Sequence, residues 1–135
     1  MRFFLRFILI LVLGYPAGLW LPWWGIAIIA FLVGAILSEK RRRRVFAKKQ
    51  PPARSFLAGF LAVFLLWGGM AFYLNAQNSG FLAERVSQLI TDSPPFPGPI
   101  LLVVGTAFIG GAMGGLSALT GNFFGEALKG GGARK

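Results

Sequence analysis

The amino-acid sequence predicts an all-α membrane protein with four transmembrane helices, arranged as two hairpins, plus a short external amphipathic helix. Of its 135 residues, 56% are hydrophobic and only 13% are charged. A soluble domain of this size needs a more polar surface to cover its core, so lipid must be the solvent for much of the chain. We therefore expect a single multi-pass membrane domain over residues 1–135, located in the cell inner membrane.

The first predicted hairpin joins spans at residues 3–21 and 23–38. Arg6 interrupts the first apolar run, near enough to its end to snorkel toward the lipid headgroups. Pro16 is expected to kink or shorten this helix, which leaves a full span, a kinked helix and a re-entrant helix all open. The Pro-Trp-Trp sequence at 22–24 predicts a tight turn at the outer surface, because tryptophan favours the headgroup zone.

The second predicted hairpin joins spans at residues 55–74 and 100–119. A basic cytoplasmic loop at 39–54 precedes this hairpin, and an external loop at 75–99 connects its two spans. Apolar and polar residues segregate at helical period over residues 80–91, which predicts the short amphipathic helix within the external loop.

Charge distribution predicts the orientation. The formal net charge is +10, and with both termini cytoplasmic 13 of the 14 basic residues stay inside, leaving only Arg85 outside. The positive-inside rule therefore favours cytoplasmic N- and C-termini. The Gly-rich basic tail at 129–135 is expected to be mobile.

The basic loop also predicts the partners of the chain. Clustering between two apolar runs is typical of a topology signal, so we expect no nucleic-acid partner. We expect contact with the lipid bilayer and its anionic headgroups. The candidate headgroup contacts are Lys40, Arg41, Arg42, Arg43, Arg44, Lys48 and Lys49.

Small residues recur at helical spacing along the fourth predicted span. At about 100° per residue they form one narrow stripe, along which a neighbouring helix can approach closely. We interpret the stripe as internal packing against the third span, with Gly68 and Gly69 facing it; homodimerisation is the alternative. The stripe consists of Ala107, Gly111, Gly114, Ala118 and Gly121.

Four polar residues lie in or beside this last apolar segment. The hydroxyls of Thr106, Ser117 and Thr120 are expected to bond the preceding turn of their own helix. The alternative is that Ser117, Thr120 and Asn122 line a polar cavity near the inner end.

The chain offers little chemistry beyond this. It contains no cysteine and no histidine, and we predict no catalytic residue, no metal site and no cofactor, so the chain is not expected to be an enzyme. Proton-coupled carriers usually hold a carboxylate or histidine within the membrane core. The four acidic residues fall outside or at the ends of the predicted core: Glu39, Glu84, Asp92 and Glu126.

Three motifs carry a resemblance: Pro-Trp-Trp at 22–24, the Gly-Phe pair at 59–60 followed by Phe64 and Trp67, and the glycine pairs at 110–111 and 114–115. In these, the chain resembles a group of short four-helix bacterial inner-membrane proteins. The resemblance covers most of the length and implies the fold, but no activity. In size the chain also resembles small multidrug-resistance proteins and fluoride channels, without the first-helix glutamate of the former or the threonine-rich segment of the latter.

The sequence therefore favours a non-enzymatic integral membrane scaffold, or an accessory subunit of a membrane assembly, acting as a homo-oligomer or within a larger membrane complex. The alternative is a small oligomeric channel or transporter for an ion or small solute. A holin-like permeabilising protein fits the size and the basic tail, but not the external loop with its amphipathic helix and the prolines that follow it.

Overall fold

A computed structural model of the chain describes residues 2–38, 52–90 and 98–131. The regular structure in these ranges is helical throughout: α1 Arg2–Trp20, α2 Gly25–Ile36, α3 Ala53–Gln77, α4 Phe81–Ile90 and α5 Pro99–Gly131. Three of these helices, α1, α3 and α5, are long and apolar enough to cross a membrane. The predicted all-α fold class is confirmed for the described residues, and three of the helices are compatible with the predicted membrane spans. The candidate headgroup contacts at 40–49 lie outside the described residues.

The first helix matches the length of its predicted span, and the second is shorter than its predicted span of residues 23–38. α1 continues through Pro16 to Trp20, so the proline does not end the helix. α2 has 12 residues, which corresponds to about 18 Å at about 1.5 Å per residue and is less than the roughly 30 Å of a hydrocarbon core. The corner between them is a hydrogen-bonded turn, with the backbone N–H of Gly25 donating to the Pro22 carbonyl at 2.8 Å.

α3 and α4 meet at a sharp corner. Ser79 and Gly80 adopt left-handed backbone conformations, with φ of 51° and 76°. The N–H of Gly80 donates to the carbonyl of Asn75 at 2.9 Å, which satisfies one of the carbonyls left open where α3 ends. α4 then confirms the helix predicted over residues 80–91, within one residue at each end.

α5 is much longer than its predicted span of residues 100–119. It has 33 residues and ends at Gly131, or about 50 Å at about 1.5 Å per residue. The prediction of a mobile tail from residue 129 is therefore wrong for Lys129, which lies within the helix. Gly121 and Gly125 pack closely against α2, and such tertiary packing stabilises a glycine-rich segment that has low helix propensity by itself.

The bundle is built around α5, which packs against both α3 and α2, while α1 packs against α2 and α3. α3 and α5 run antiparallel, since Gly68 lies beside Ala107 and Phe56 lies beside Gly115. The core residues come from four helices and are alanine, valine and isoleucine: Ile10, Ile26, Ala30, Val33, Ala62, Val63 and Ala118. Large apolar side chains such as Ile109, 66% exposed, point outward, as expected of helices solvated by lipid.

Candidate functional site

Buried polar side chains gather at one end of the bundle, where α1 and α3 begin and α2 ends. Within the described ranges they are Arg6, Ser38, Ser55 and Asn122, each 6% exposed or less. A charged or polar group inside an apolar bundle is costly unless it is hydrogen-bonded, and an ionisable residue within a membrane helix is a default candidate for function. We call these four residues, with Glu126 and Lys129, the Arg6 cluster.

The guanidinium of Arg6 connects α1 to the three other long or core-forming helices. Its Nη1 donates to the hydroxyl of Ser55 on α3. Its Nη2 donates to the carbonyl of Leu37 at the end of α2, at 2.8 Å, and to Oδ1 of Asn122 on α5, at 2.7 Å. The planar fork of arginine suits such multiple bonding. The prediction that Arg6 snorkels to the headgroups is wrong, because the protein itself supplies the acceptors.

Asn122 uses both ends of its amide. Its Oδ1 accepts from Arg6, and its Nδ2 donates to Oε1 of Glu126, one turn along α5, at 2.8 Å. The amide therefore links the buried cation to a carboxylate through two hydrogen bonds. This arrangement lowers the cost of holding the Arg6 charge away from water, because bonded polar groups replace its hydration shell.

Lys129 completes the cluster by capping α2. Its ammonium donates to the carbonyls of Ile36 at 2.9 Å and Ser38 at 2.7 Å, and to the carbonyl of Ala35 at 3.3 Å. Arg6 takes the remaining carbonyl in this run, that of Leu37. The last carbonyls of a helix lack partners within it and carry partial negative charge. Two cations, from α1 and α5, thus satisfy the end of the shortest core helix.

The hydroxyls of the fourth predicted span behave differently from Asn122. Thr106 and Thr120 donate to the carbonyls of Leu102 and Leu116, each at 2.8 Å, which confirms the predicted bonding to the preceding turn. Ser117 is half-buried and is not one of the residues of the Arg6 cluster. The alternative that grouped Asn122 with Ser117 and Thr120 is therefore wrong, because Asn122 bonds Arg6. The signal that could have found this pair is that each is a polar residue in an apolar run, near the same predicted membrane surface.

The predicted small-residue stripe lies against two helices of the same chain. A Cβ added to Gly111 would lie 3.1 Å from the Phe60 carbonyl oxygen, and one added to Gly114 would lie 2.8 Å from that of Gly59. Further along α5, Gly121 meets the backbone of α2 at Phe31. The two alanines of the stripe are in the same seam, Ala107 beside Gly68 on α3 and Ala118 against the backbone of Gly34 on α2. Gly69 is exposed and does not face the stripe, so that part of the interpretation is wrong.

The chemistry available at the Arg6 cluster is hydrogen bonding, including bonds from two cations. No group of three or more potential metal ligands occurs among the residues that the structure describes. Comparison of the chain with known protein families, curated proteins and solved structures found no match. Function is therefore inferred from the geometry of the cluster and of the helix seam.

Proposed function

We propose that the chain is a non-enzymatic scaffold or accessory subunit of an assembly in the cell inner membrane. The observation that carries the proposal is the bonding of Arg6 to α2, α3 and α5. A transporter directs its intramembrane polar groups toward a pathway for solute. In this chain, the buried polar groups around Arg6 bond to one another and hold helices together.

The seam along α5 supports the same proposal. Backbones approach closely where α5 crosses Gly59 of α3 and Gly34 of α2, and such packing replaces the hydrophobic drive that is absent between helices in lipid. The result is a firmly connected bundle with large apolar side chains on its outside. A rigid bundle with an apolar outer surface is suited to act as a scaffold on which other membrane proteins assemble.

We further propose the predicted topology of four spans in two hairpins, with both termini cytoplasmic and α4 external. α1 and α2 run antiparallel, since Gly18 lies beside Ile26 and Arg6 bonds Leu37 at the other end. Trp20 is 90% exposed at the turn between them, which fits a headgroup position. The short α2 crosses with its carbonyl end capped by Arg6 and Lys129, which reduces the cost of ending within the membrane boundary.

Affinity purification tests the scaffold role. The chain, tagged at its C-terminus and expressed at its native level, is isolated in mild detergent, and the co-purifying proteins are identified. A multi-pass protein of the same membrane, with the same tag, is the control for non-specific capture. We expect at least one membrane protein to be enriched in fixed ratio to this chain and absent from the control.

Flux measurements test the opposing transporter alternative. Purified protein is reconstituted in vesicles, and uptake of small cations, anions and neutral solutes is followed. Saturable flux would contradict the scaffold proposal, especially if the double change Ser117→Ala with Thr120→Ala abolished it while the helix content stayed unchanged. We expect no flux above that of protein-free vesicles.

A further inference from the structure

α4 presents three separate faces, and this feature is independent of the Arg6 cluster. Ala83 and Ser87 are half-buried, on the side where α4 contacts α3 and α5. Leu82 and Leu89 are 63% and 85% exposed and fall within about 20° of each other on the helix. At about 100° per residue, this leucine pair lies more than about 90° away from the side that contacts the bundle.

The third face of α4 is polar. Glu84 and Gln88 are exposed, and helical period puts them about 130° from the leucine pair. The guanidinium of Arg85 lies 5.1 Å from the centre of the Phe81 ring, so this cation covers an aromatic ring. Helical period places Phe81 and Arg85 between the leucine pair and the polar face. The three faces therefore match a protein neighbour, an apolar medium and water.

The corner before α4 fixes the position of this helix relative to the end of α3, and therefore its depth in the proposed membrane. The Phe81 N–H donates to the carbonyl of Asn78 at 3.0 Å, which ties the start of α4 to the end of the membrane-length helix α3. Exposed Tyr73 accepts a hydrogen bond of 2.7 Å from Gln77 at this end, and tyrosine favours the headgroup level. The beginning of α5, with Ile100 76% exposed, continues an apolar surface at the same end of the bundle.

We infer that α4 is a membrane-interface helix, with Leu82 and Leu89 inserted at the boundary between lipid headgroups and acyl chains beside the bundle. A second copy of the chain is a poorer occupant. The helix has 10 residues, about 15 Å long and about 10 Å wide, so one face offers on the order of 150 Å², far below the roughly 800 Å² per partner of a stable interface. Lipid sets no such minimum, because insertion strength scales with apolar area.

The charges of α4 predict how it selects lipid. Its sequence carries one acidic and one basic residue, Glu84 and Arg85. The helix is therefore neutral, and apolar contact rather than attraction to anionic headgroups holds it in place. This inference rests on the membrane location proposed above, but not on the scaffold role.

Spin labelling tests the inference directly, because the chain contains no cysteine and each label can be introduced at a single site. Nitroxides are attached at Leu82→Cys, Leu89→Cys and Gln88→Cys in full-length protein reconstituted in vesicles. Collision with oxygen, which partitions into lipid, is compared with collision with a water-soluble nickel chelate. Ile109→Cys, in the middle of α5, is the control for membrane location.

We expect oxygen collisions to dominate at 82, 89 and 109, and nickel collisions to dominate at 88, equally in zwitterionic and anionic vesicles. Nickel-dominated collision at both 82 and 89, with 109 still lipid-exposed, would overturn the inference and leave the membrane location standing. Spin–spin broadening at 89 would overturn it in favour of a second copy. Nickel access at 109 would overturn the membrane location itself.

Discussion

Arg6 and Asn122 lie 116 positions apart in the chain, and Nη2 of the first is 2.7 Å from Oδ1 of the second. The first and last membrane-length helices thus satisfy each other's buried polar groups. Inserting either helix alone into lipid would be costly at the depth of Arg6 and Asn122, because an unpaired arginine or amide there has a high free energy. The pair makes the position of α1 dependent on the presence of α5.

Filling the helix seam should destabilise the bundle. Gly114→Leu inserts side-chain volume against Val63 and the Gly59 carbonyl, and overpacking typically costs about 1–3 kcal/mol. Gly69→Leu is the matched control, because a Cβ at Gly69 would have no other atom within 4 Å. We expect the melting temperature in detergent to fall for Gly114→Leu alone. If Gly114→Leu instead dissociated an oligomer and left the monomer equally stable, the stripe would be a dimer seam.

Removing the cap on α2 should loosen its last turn. Lys129→Met keeps the length of the side chain but removes the ammonium that bonds Ile36 and Ser38. Charged groups at helix ends contribute about 0.3–2 kcal/mol. We expect faster amide hydrogen exchange at residues 34–38, measured by mass spectrometry, and no such change for Arg54→Met at the exposed start of α3. Unchanged exchange at 34–38 would show that Lys129 is not needed as a cap.

The helices themselves were predictable from the sequence because apolar runs bounded by charge, proline and tryptophan mark where a chain enters and leaves lipid. The glycines after residue 119 lower intrinsic helix propensity, yet α5 continues past the predicted span of residues 100–119 to Gly131. That local tendency is overridden at Gly121 and Gly125, which pack on the backbone of α2.

The Arg6 cluster was not predictable in the same way. Arg6 stood out as a charge in an apolar run, but snorkelling is the ordinary fate of such a residue near a helix end. Its partners Ser55 and Asn122 lie far away in sequence, and no periodic pattern connects them. Only the three-dimensional arrangement, with α1 and α3 beginning where α2 ends, brings these side chains together.

Reporter fusions should confirm the orientation. We expect a cytoplasmic signal from a fusion after Lys135 and a periplasmic signal from one after Gln77, because 13 basic residues then remain inside. Both fusions are compared at equal expression. A periplasmic signal at Lys135 would contradict the predicted topology.

The central claim is that the buried arginine serves to hold helices together, and a double-mutant cycle on Arg6 and Asn122 tests it most directly. The free energy of unfolding in mixed micelles is measured for wild type, Arg6→Leu, Asn122→Leu and the double variant, with Thr120→Val as a control on an exposed hydroxyl. Asn122→Leu removes one of the three acceptors of the buried guanidinium and should cost about 1.5–3 kcal/mol, as for a lost hydrogen bond to a charged group. We predict that the double variant is more stable than Asn122→Leu alone, with a coupling of about 1–3 kcal/mol. Additive effects within about 0.5 kcal/mol, or wild-type stability for Asn122→Leu, would contradict the claim.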